Sequence, residues 1–397
     1  MNRMASIAIG TCFCLVSPVH SNACRAAGLV IDHGNTDLAS LSLWAVRQAK
    51  AELHIAYGHT SHGSQVTEGM TAMNAFINGG GLGMSCPVDT FKWNDGPSAG
   101  ALDIDDYFAS GDLGNPNYTA WADGTRTYLD NPTNSDVNVI LWSWCGQADT
   151  TAANIDLYLG LMTQLEIDYP DVRFVYMTGH VNGCATTGNL FLRNQQIRDY
   201  CIANGKVLYD FADIESWDPD GNYYGDKLVL DDCSYDSDGN GTRDRNWAID
   251  WQNTHTQNVE WFSCSCSHSQ PLNGNQKAYA AWSLWTSLIT PVPGDANRDG
   301  SVGEEDAKTL ATHWGQSGDW EQGDFDNDGL INALDAAILA AHWGDHASRE
   351  GNGVAVPEPS MLGMLMSLGL LASGRRRQVR NGCSRMDKVG EVMRDRR

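Results

Sequence analysis

A pattern of oxygen-bearing side chains occurs twice near the end of this chain of 397 residues, and it limits the local fold more tightly than any other feature. Asp295-Ala-Asn297-Arg-Asp299-Gly300-Ser301, running on to Asp306, returns 29 residues later as Asp324-Phe-Asp326-Asn-Asp328-Gly329-Leu330, running on to Asp335. Each copy continues into a stretch that ends in His-Trp-Gly, at Gly315 and at Gly344. Calcium takes about six to eight oxygens; side chains at loop positions 1, 3, 5 and 12 supply them, with a backbone carbonyl at position 7 and a glycine at 6 for the sharp turn. The spacing therefore predicts a small all-α unit with two calcium ions. Asp295, Asn297, Asp299, Ser301 and Asp306 would hold one ion, and Asp324, Asp326, Asp328, Leu330 and Asp335 the other. The plainer alternative, two Asp/Asn-Gly turns between solvated helices, does not account for the repetition of the whole ligand spacing.

Pro291-Val292-Pro293-Gly294 separates this unit from a longer domain before it, since closely spaced prolines interrupt helices. Residues 1–23 read as a signal peptide: Arg3 supplies the positive start, residues 5–16 the apolar stretch, and Ser21-Asn22-Ala23 the small residues of a cleavage site. Cys24 follows at once, but His20-Ser21-Asn22-Ala23 is a poor lipobox. The expected order is a signal over 1–23, a main domain over 35–290, the repeated unit over 294–344, a linker over 345–355, a sorting segment over 356–377 and a basic tail over 378–397. The formal net charge of −23 argues against nucleic acid as a partner. Export permits disulfides among Cys24, Cys86, Cys145, Cys184, Cys201, Cys233, Cys264 and Cys266, although their pairing stays open. Cys264 and Cys266 are too close for an easy mutual bridge, and the absence of CxxC pairs disfavours zinc.

In the main domain, short apolar runs at 53–57, 88–93, 137–142, 172–177 and 207–211 read as strands. Helical periodicity occupies 65–76, 151–169 and 189–204, and a last helix over 276–288 closes the domain. Strands alternating with helices predict an α/β fold, a three-layer αβα sandwich around a five-stranded parallel sheet. Ligands of such sheets bind beyond the carboxyl ends of the strands. There the sequence places Gly58-His59-Thr60-Ser61-His62-Gly63-Ser64, then a segment ending in Gly100, then Ser143-Trp144-Cys145-Gly146-Gln147, then Thr178-Gly179-His180-Val181-Asn182. Ser267-His268-Ser269 precedes the closing helix.

This order resembles the SGNH (GDSL-like) hydrolases over roughly 50–290. The resemblance implies a serine esterase in which Ser61 is the nucleophile, His268 the general base and Gly100 an oxyanion donor through its N–H. Gln147 stands where the family has Asn and would donate from its side chain. The family's Gly-Asp-Ser is here Gly58-His59-Thr60-Ser61, so Thr60 and Ser64 remain rival nucleophiles. The acid usually found three residues before the histidine is replaced by Ser265, and Asp231, Asp232 and Asp250 lie too far along the chain for a choice. His59, His62 and His180 lack metal-ligand spacing and read as structural. Trp142, Trp144, Trp282 and Trp285 read as core rather than sugar platforms. Few acids sit at the strand ends, which makes a paired-carboxylate glycosidase a weaker reading. In an acidic segment over 231–244, Asp236, Asp238 and Asn240 repeat the calcium spacing, and a solvated insertion explains them equally well.

The repeated unit resembles a dockerin type I module, which implies a cohesin-like partner. Val356-Pro357-Glu358-Pro359-Ser360, an apolar run and Arg375-Arg376-Arg377 resemble a PEP-CTERM signal, which implies an exosortase-type processing enzyme and an envelope-surface or extracellular location. Dockerins often accompany carbohydrate-active domains, so an acylated polysaccharide is the expected substrate. The alternative is a non-catalytic carbohydrate- or protein-binding surface module on the same fold.

Overall fold

The computed structural model describes residues 28–289, 292–297, 299–326 and 328–345. The proposed signal peptide, the linker beyond residue 345, the sorting segment and the basic tail lie outside these residues, as does Cys24.

Seven parallel strands form the sheet: β1 (Val30–Ile31), β2 (His54–Gly58), β3 (Trp93–Asn94), β4 (Leu102–Asp106), β5 (Val139–Trp142), β6 (Arg173–Met177) and β7 (Val207–Tyr209). Their order is β1-β7-β6-β5-β2-β4-β3. The larger helices are α1 (Leu43–Glu52), α2 (Ser61–Asn78), α3 (Ala120–Leu129), α4 (Ala152–Asp168) and α5 (Asn189–Asn204). The short α6 (Phe211–Ile214) and α7 (Trp247–Thr254) follow, a small hairpin of β8 (Ser234–Tyr235) and β9 (Arg245–Asn246) between them, and α8 (Pro271–Ser287) closes the domain.

Alternation along each strand builds the layers, because successive side chains point to opposite faces. Val139 and Leu141 of β5 and Val175 and Met177 of β6 pack with residues of α1, α2 and α8. Ile140, Trp142, Phe174 and Tyr176 pack the other way, with residues of α3, α4 and α5. The αβα architecture is as expected, with two strands more. The extra strands are β1, only two residues long, and β4, whose Asp103, Asp105 and Asp106 break any apolar run. The expected strand over 88–93 contracts to β3, and Val88 is exposed. The run over 207–211 stops early because the Asp210 side chain accepts the N–H of Asp213 and starts α6.

Trp142, Trp144, Trp282 and Trp285 are all buried, and so belong to the core. Helices α2 and α8 approach so closely that a Cβ on Gly69 would stand 2.3 Å from the carbonyl oxygen of Gly274. The seven described cysteines, Cys264 and Cys266 among them, are free thiols.

In the C-terminal unit, α9 (Glu304–His313) and α10 (Ala333–Ala341) each follow one acidic loop. They enclose a small core of Ala296, Val302, Leu310, Phe325, Ile331 and Leu339.

Candidate functional site

The chain order reverses at β2, which has the later β4 on one side and the still later β5 on the other. A crevice opens at such a switch point beyond the carboxyl ends of the strands. The turn after β2 brings Thr60 and Ser61 there, and the turn after β5 brings Cys145. Helix α2 begins at Ser61, earlier than periodicity indicates, and Thr60 occupies its N-cap without a side-chain capping bond. Ser61 is thus no cap, and its hydroxyl is directed elsewhere. Gly63 allows the tight seating of this first turn, since a Cβ there would lie 2.3 Å from His59 Cβ and 2.8 Å from Ser143 Cβ.

His268 Nε2 lies 2.8 Å from Ser61 Oγ, joining positions 207 residues apart. His268 is exposed and holds a left-handed backbone, φ 66°, an unusual conformation for a non-glycine residue. The rival hydroxyls are engaged otherwise. Thr60 Oγ1 donates to Asp112 Oδ1 at 3.1 Å, and Ser64 Oγ donates to the Ser61 carbonyl at 2.9 Å.

Two expected donors are not at the nucleophile. Gly100 sits in an open turn just before β4, at the amino end of that strand, whereas Ser61 lies beyond the carboxyl ends. The whole length of β4, about 13 Å at 3.3 Å per residue, separates the two ends. The segment on Ser61's side of β4 is instead the loop that contains Asp112. Gln147 is buried, and its amide donates to Asp112 Oδ1 at 2.5 Å and to the Leu113 carbonyl at 3.0 Å, so both N–H groups brace that loop.

The neighbouring histidines are ordered by partners that sequence spacing does not reveal. His62 Nε2 meets Asp231 Oδ2 at 2.9 Å. Burial alone would lower the His62 imidazole, but Asp231 and Cys145 raise it to about 9. Burial would raise Asp231, yet the bond to His62 leaves it lowered. His59 Nε2 meets Asp106 at 2.7 Å, a structural pairing across β2 and β4. His180 Nδ1 contacts the Val181 carbonyl at 2.7 Å, and burial lowers its pKa. His180 also borders a cavity of about 250 Å³ that reaches Arg198, Asp213 and Tyr223.

Cys145 is the residue sequence reasoning overlooked. Its Sγ lies 2.7 Å from Thr60 Oγ1 and 3.6 Å from Ser61 Oγ. Burial pushes the thiol up, but hydrogen bonds from His62, Thr60 and Ser61 bring it down to about 7. Its place just after a strand was the only available signal.

Beneath the crevice, Lys277 and Glu215 form an ion pair at 2.7 Å with both side chains fully buried. Glu215 also accepts the Val181 N–H, and Lys277 also donates to Gln65. The pair ties α2 and α8 to the loop that carries His180. A cation could be held by His62, Asp231 and His268, whose ligand atoms lie within 4.8 Å of one another.

In the C-terminal unit, the first and last acids of each loop, Asp295 and Asp306, Asp324 and Asp335, are all buried. Asp295 accepts the N–H groups of Asp299 and Gly300, and Asp306 those of Ala296, Asn297 and Gly303. Burial, assisted by the nearby Asp306 and Asp299 charges, pushes Asp295 up to about 6. Asp324, Asp326 and Asp335 bring ligand oxygens within 4.8 Å of one another. Buried carboxylates gathered in this way suit a hard divalent cation. Residues 293–343 match the family model of the dockerin type I domain.

The chain carries a dockerin. Dockerin type I domains bind calcium, in keeping with the donor set of these loops. Residues 355–378 match the PEP-CTERM protein-sorting motif. Together the dockerin and the motif mark an exported protein of the cell surface or the extracellular space. Among solved structures, the chain is similar to a Type II cohesin-dockerin domain from Bacteroides cellolosolvens. The two share 37% identity over 16% of this chain and 100% of that one, with a TM-score of 0.14. No curated protein matches the chain. In the acidic segment of the main domain, Asp236 accepts N–H groups from Gly239, Asn240 and Gly241, which closes the turn between β8 and β9.

Proposed function

We propose that this protein is an exported serine acyl hydrolase of the SGNH type that removes ester-linked acyl groups from a polysaccharide. The observation that supports it is the 2.8 Å contact between Ser61 Oγ and His268 Nε2 at the switch point of a parallel sheet. His268 takes the hydroxyl proton as Ser61 Oγ adds to the ester carbonyl. The tetrahedral oxyanion is stabilised by N–H groups of the first turn of α2, where the helix dipole favours negative charge. Collapse expels the alcohol, which receives its proton from His268, and water then repeats the sequence on the acyl-enzyme. Asp231 acts at one remove, since it fixes His62, the ring on which His268 stacks. The substrate class rests on the company dockerins keep, which is analogy rather than site chemistry.

In this reading, one calcium ion fills each dockerin loop, the dockerin docks on a cohesin-like partner, and an exosortase-type enzyme processes the sorting tail. A second reading, a carbohydrate- or protein-binding module without turnover, draws on the positions of Gly100 and Gln147 away from Ser61.

Hydrolysis of p-nitrophenyl acetate by the full chain, beside Ser61→Ala and His268→Ala, separates the two. A fall of roughly 1,000-fold or more in both variants is expected. Equal rates in all three proteins, with glycan binding that survives Ser61→Ala, would leave the binding module standing.

A further inference from the structure

A second concavity opens at the same end of the sheet as Ser61. Its volume is about 250 Å³, and it lies where the chain leaves β6 and β7. The start of α5 forms one wall, and the loop through Tyr223 and Gly225 forms the other. His180 borders it on the side of the nucleophile. That ring stacks on His62 at 4.0 Å and His62 on His268 at 4.4 Å, so a row of imidazoles joins the cavity to Ser61.

The lining combines compensated charges with uncommitted polar atoms. Arg198 gives Nε and Nη2 to Asp210 at 2.5 and 2.8 Å, which leaves Nη1 without a partner among the described residues. Asp213 accepts the backbone N–H of His33 at 3.0 Å and the ring N–H of Trp217 at 3.3 Å. The Tyr223 hydroxyl makes no hydrogen bond among the described residues. It lies over Gly225, where a Cβ would stand 2.3 Å from it. Leu190, Phe191 and Val229 add apolar surface. An anion would meet a guanidinium already paired and the Asp213 carboxylate beside it. A fatty chain would bury the Tyr223 hydroxyl and Arg198 Nη1 unsatisfied. A ligand rich in hydroxyls and without charge suits both conditions. The volume is below the roughly 300 Å³ at which drug-sized pockets begin, so it suits a single ring.

We propose that this cavity is a subsite for one neutral pyranose unit of a polysaccharide, and that the ester cleaved at Ser61 is carried by another unit of the same chain. The second half rests on the serine hydrolase reading; the first half does not. In the sheet β6 stands two strands from β2, about 10 Å at about 4.8 Å per strand. A ring seated beyond β6 is therefore too far away to present its own acyl group to Ser61, and the glycan must extend past His180 to reach it.

The test titrates xylotetraose, cellotetraose, mannotetraose and tetragalacturonate into the full chain by calorimetry, in the wild type, Tyr223→Phe and Gly225→Ala. At least one neutral glycan should bind, and more tightly than tetragalacturonate, which carries a carboxylate on every unit. Tyr223→Phe deletes only the hydroxyl and Gly225→Ala pushes it aside, so each should weaken binding roughly two- to tenfold. Binding of none of the neutral glycans, tighter binding of tetragalacturonate, or affinity unchanged by both substitutions overturns the subsite. Acetylated forms of the bound glycan and of its monosaccharide then test the link to Ser61. The ratio of tetramer to monomer kcat/KM should fall severalfold in Tyr223→Phe, through a rise in KM for the tetramer. A ratio equal to that of the wild type overturns the second half. A wild type that turns over neither ester removes the serine reading and leaves the subsite to be judged by calorimetry alone.

Discussion

The imidazole of His62 lies flat against that of His268, with ring centroids 4.4 Å apart and planes inclined by 12°. His180 stacks on the other face of His62 at 4.0 Å. The middle ring of the three is the one tied to a carboxylate, so Asp231 anchors the whole stack and, through it, the ring that faces Ser61.

That anchor has a defined pH range. His62 is raised from 6.5 to about 9, so its contribution is complete below about 6.5 and is lost as pH rises through about 9. Asp231 is lowered from 3.8, so its contribution is present above about 3.8 and is lost as pH falls through its folded value. Thermal melts of the wild type and Asp231→Asn should therefore differ most between about pH 4 and 6.5 and converge above about 9. A difference that stayed constant across that range would show that the pair is not the source of the stabilisation.

The buried pair of Lys277 and Glu215 predicts a non-additive result. Lys277→Met leaves the Glu215 charge buried alone and should cost about 3–5 kcal/mol in urea unfolding. Adding Glu215→Gln removes that charge while keeping an acceptor for the Val181 N–H, and most of the loss should return. Equal unfolding midpoints for the single and double variants would contradict this account.

Two glycine substitutions separate the two ends of the sheet. Gly63→Ala would drive a Cβ into His59 and Ser143. It should cost about 1–3 kcal/mol and depress ester hydrolysis by moving the first turn of α2. Gly100→Ala meets open space and only the strain of φ 75°, about 1–2 kcal/mol, and should hydrolyse ester at the wild-type rate. Loss of turnover in Gly100→Ala without loss of fold would return Gly100 to the reaction.

For the dockerin, calorimetric titration of the full chain should give two calcium ions per chain, falling to one in Asp295→Asn and to one in Asp324→Asn. Each variant removes a first-position oxygen donor of one loop, and the folding of that loop depends on the ion it holds. A stoichiometry unchanged in both variants would place the calcium elsewhere.

The sequence by itself determined whatever depends on residues close together in the chain. The dockerin was legible because its two acidic loops repeat one spacing, each inside a dozen residues. The helices over 151–169 and 189–204 were legible from periodicity, and the αβα layering from the alternation of strands and helices. Ser61 and His268 were legible only as candidates from the order of the strand-end segments. What the tertiary structure decided lies across the chain. It placed His268 on Ser61 rather than on Thr60 or Ser64, gave Asp231 to His62, put Cys145 beside Thr60 and Ser61, and set Gly100 at the far end of β4. Such meetings follow from strand order, above all the reversal at β2, and strand order is fixed by packing over the whole sheet rather than by any local run of residues.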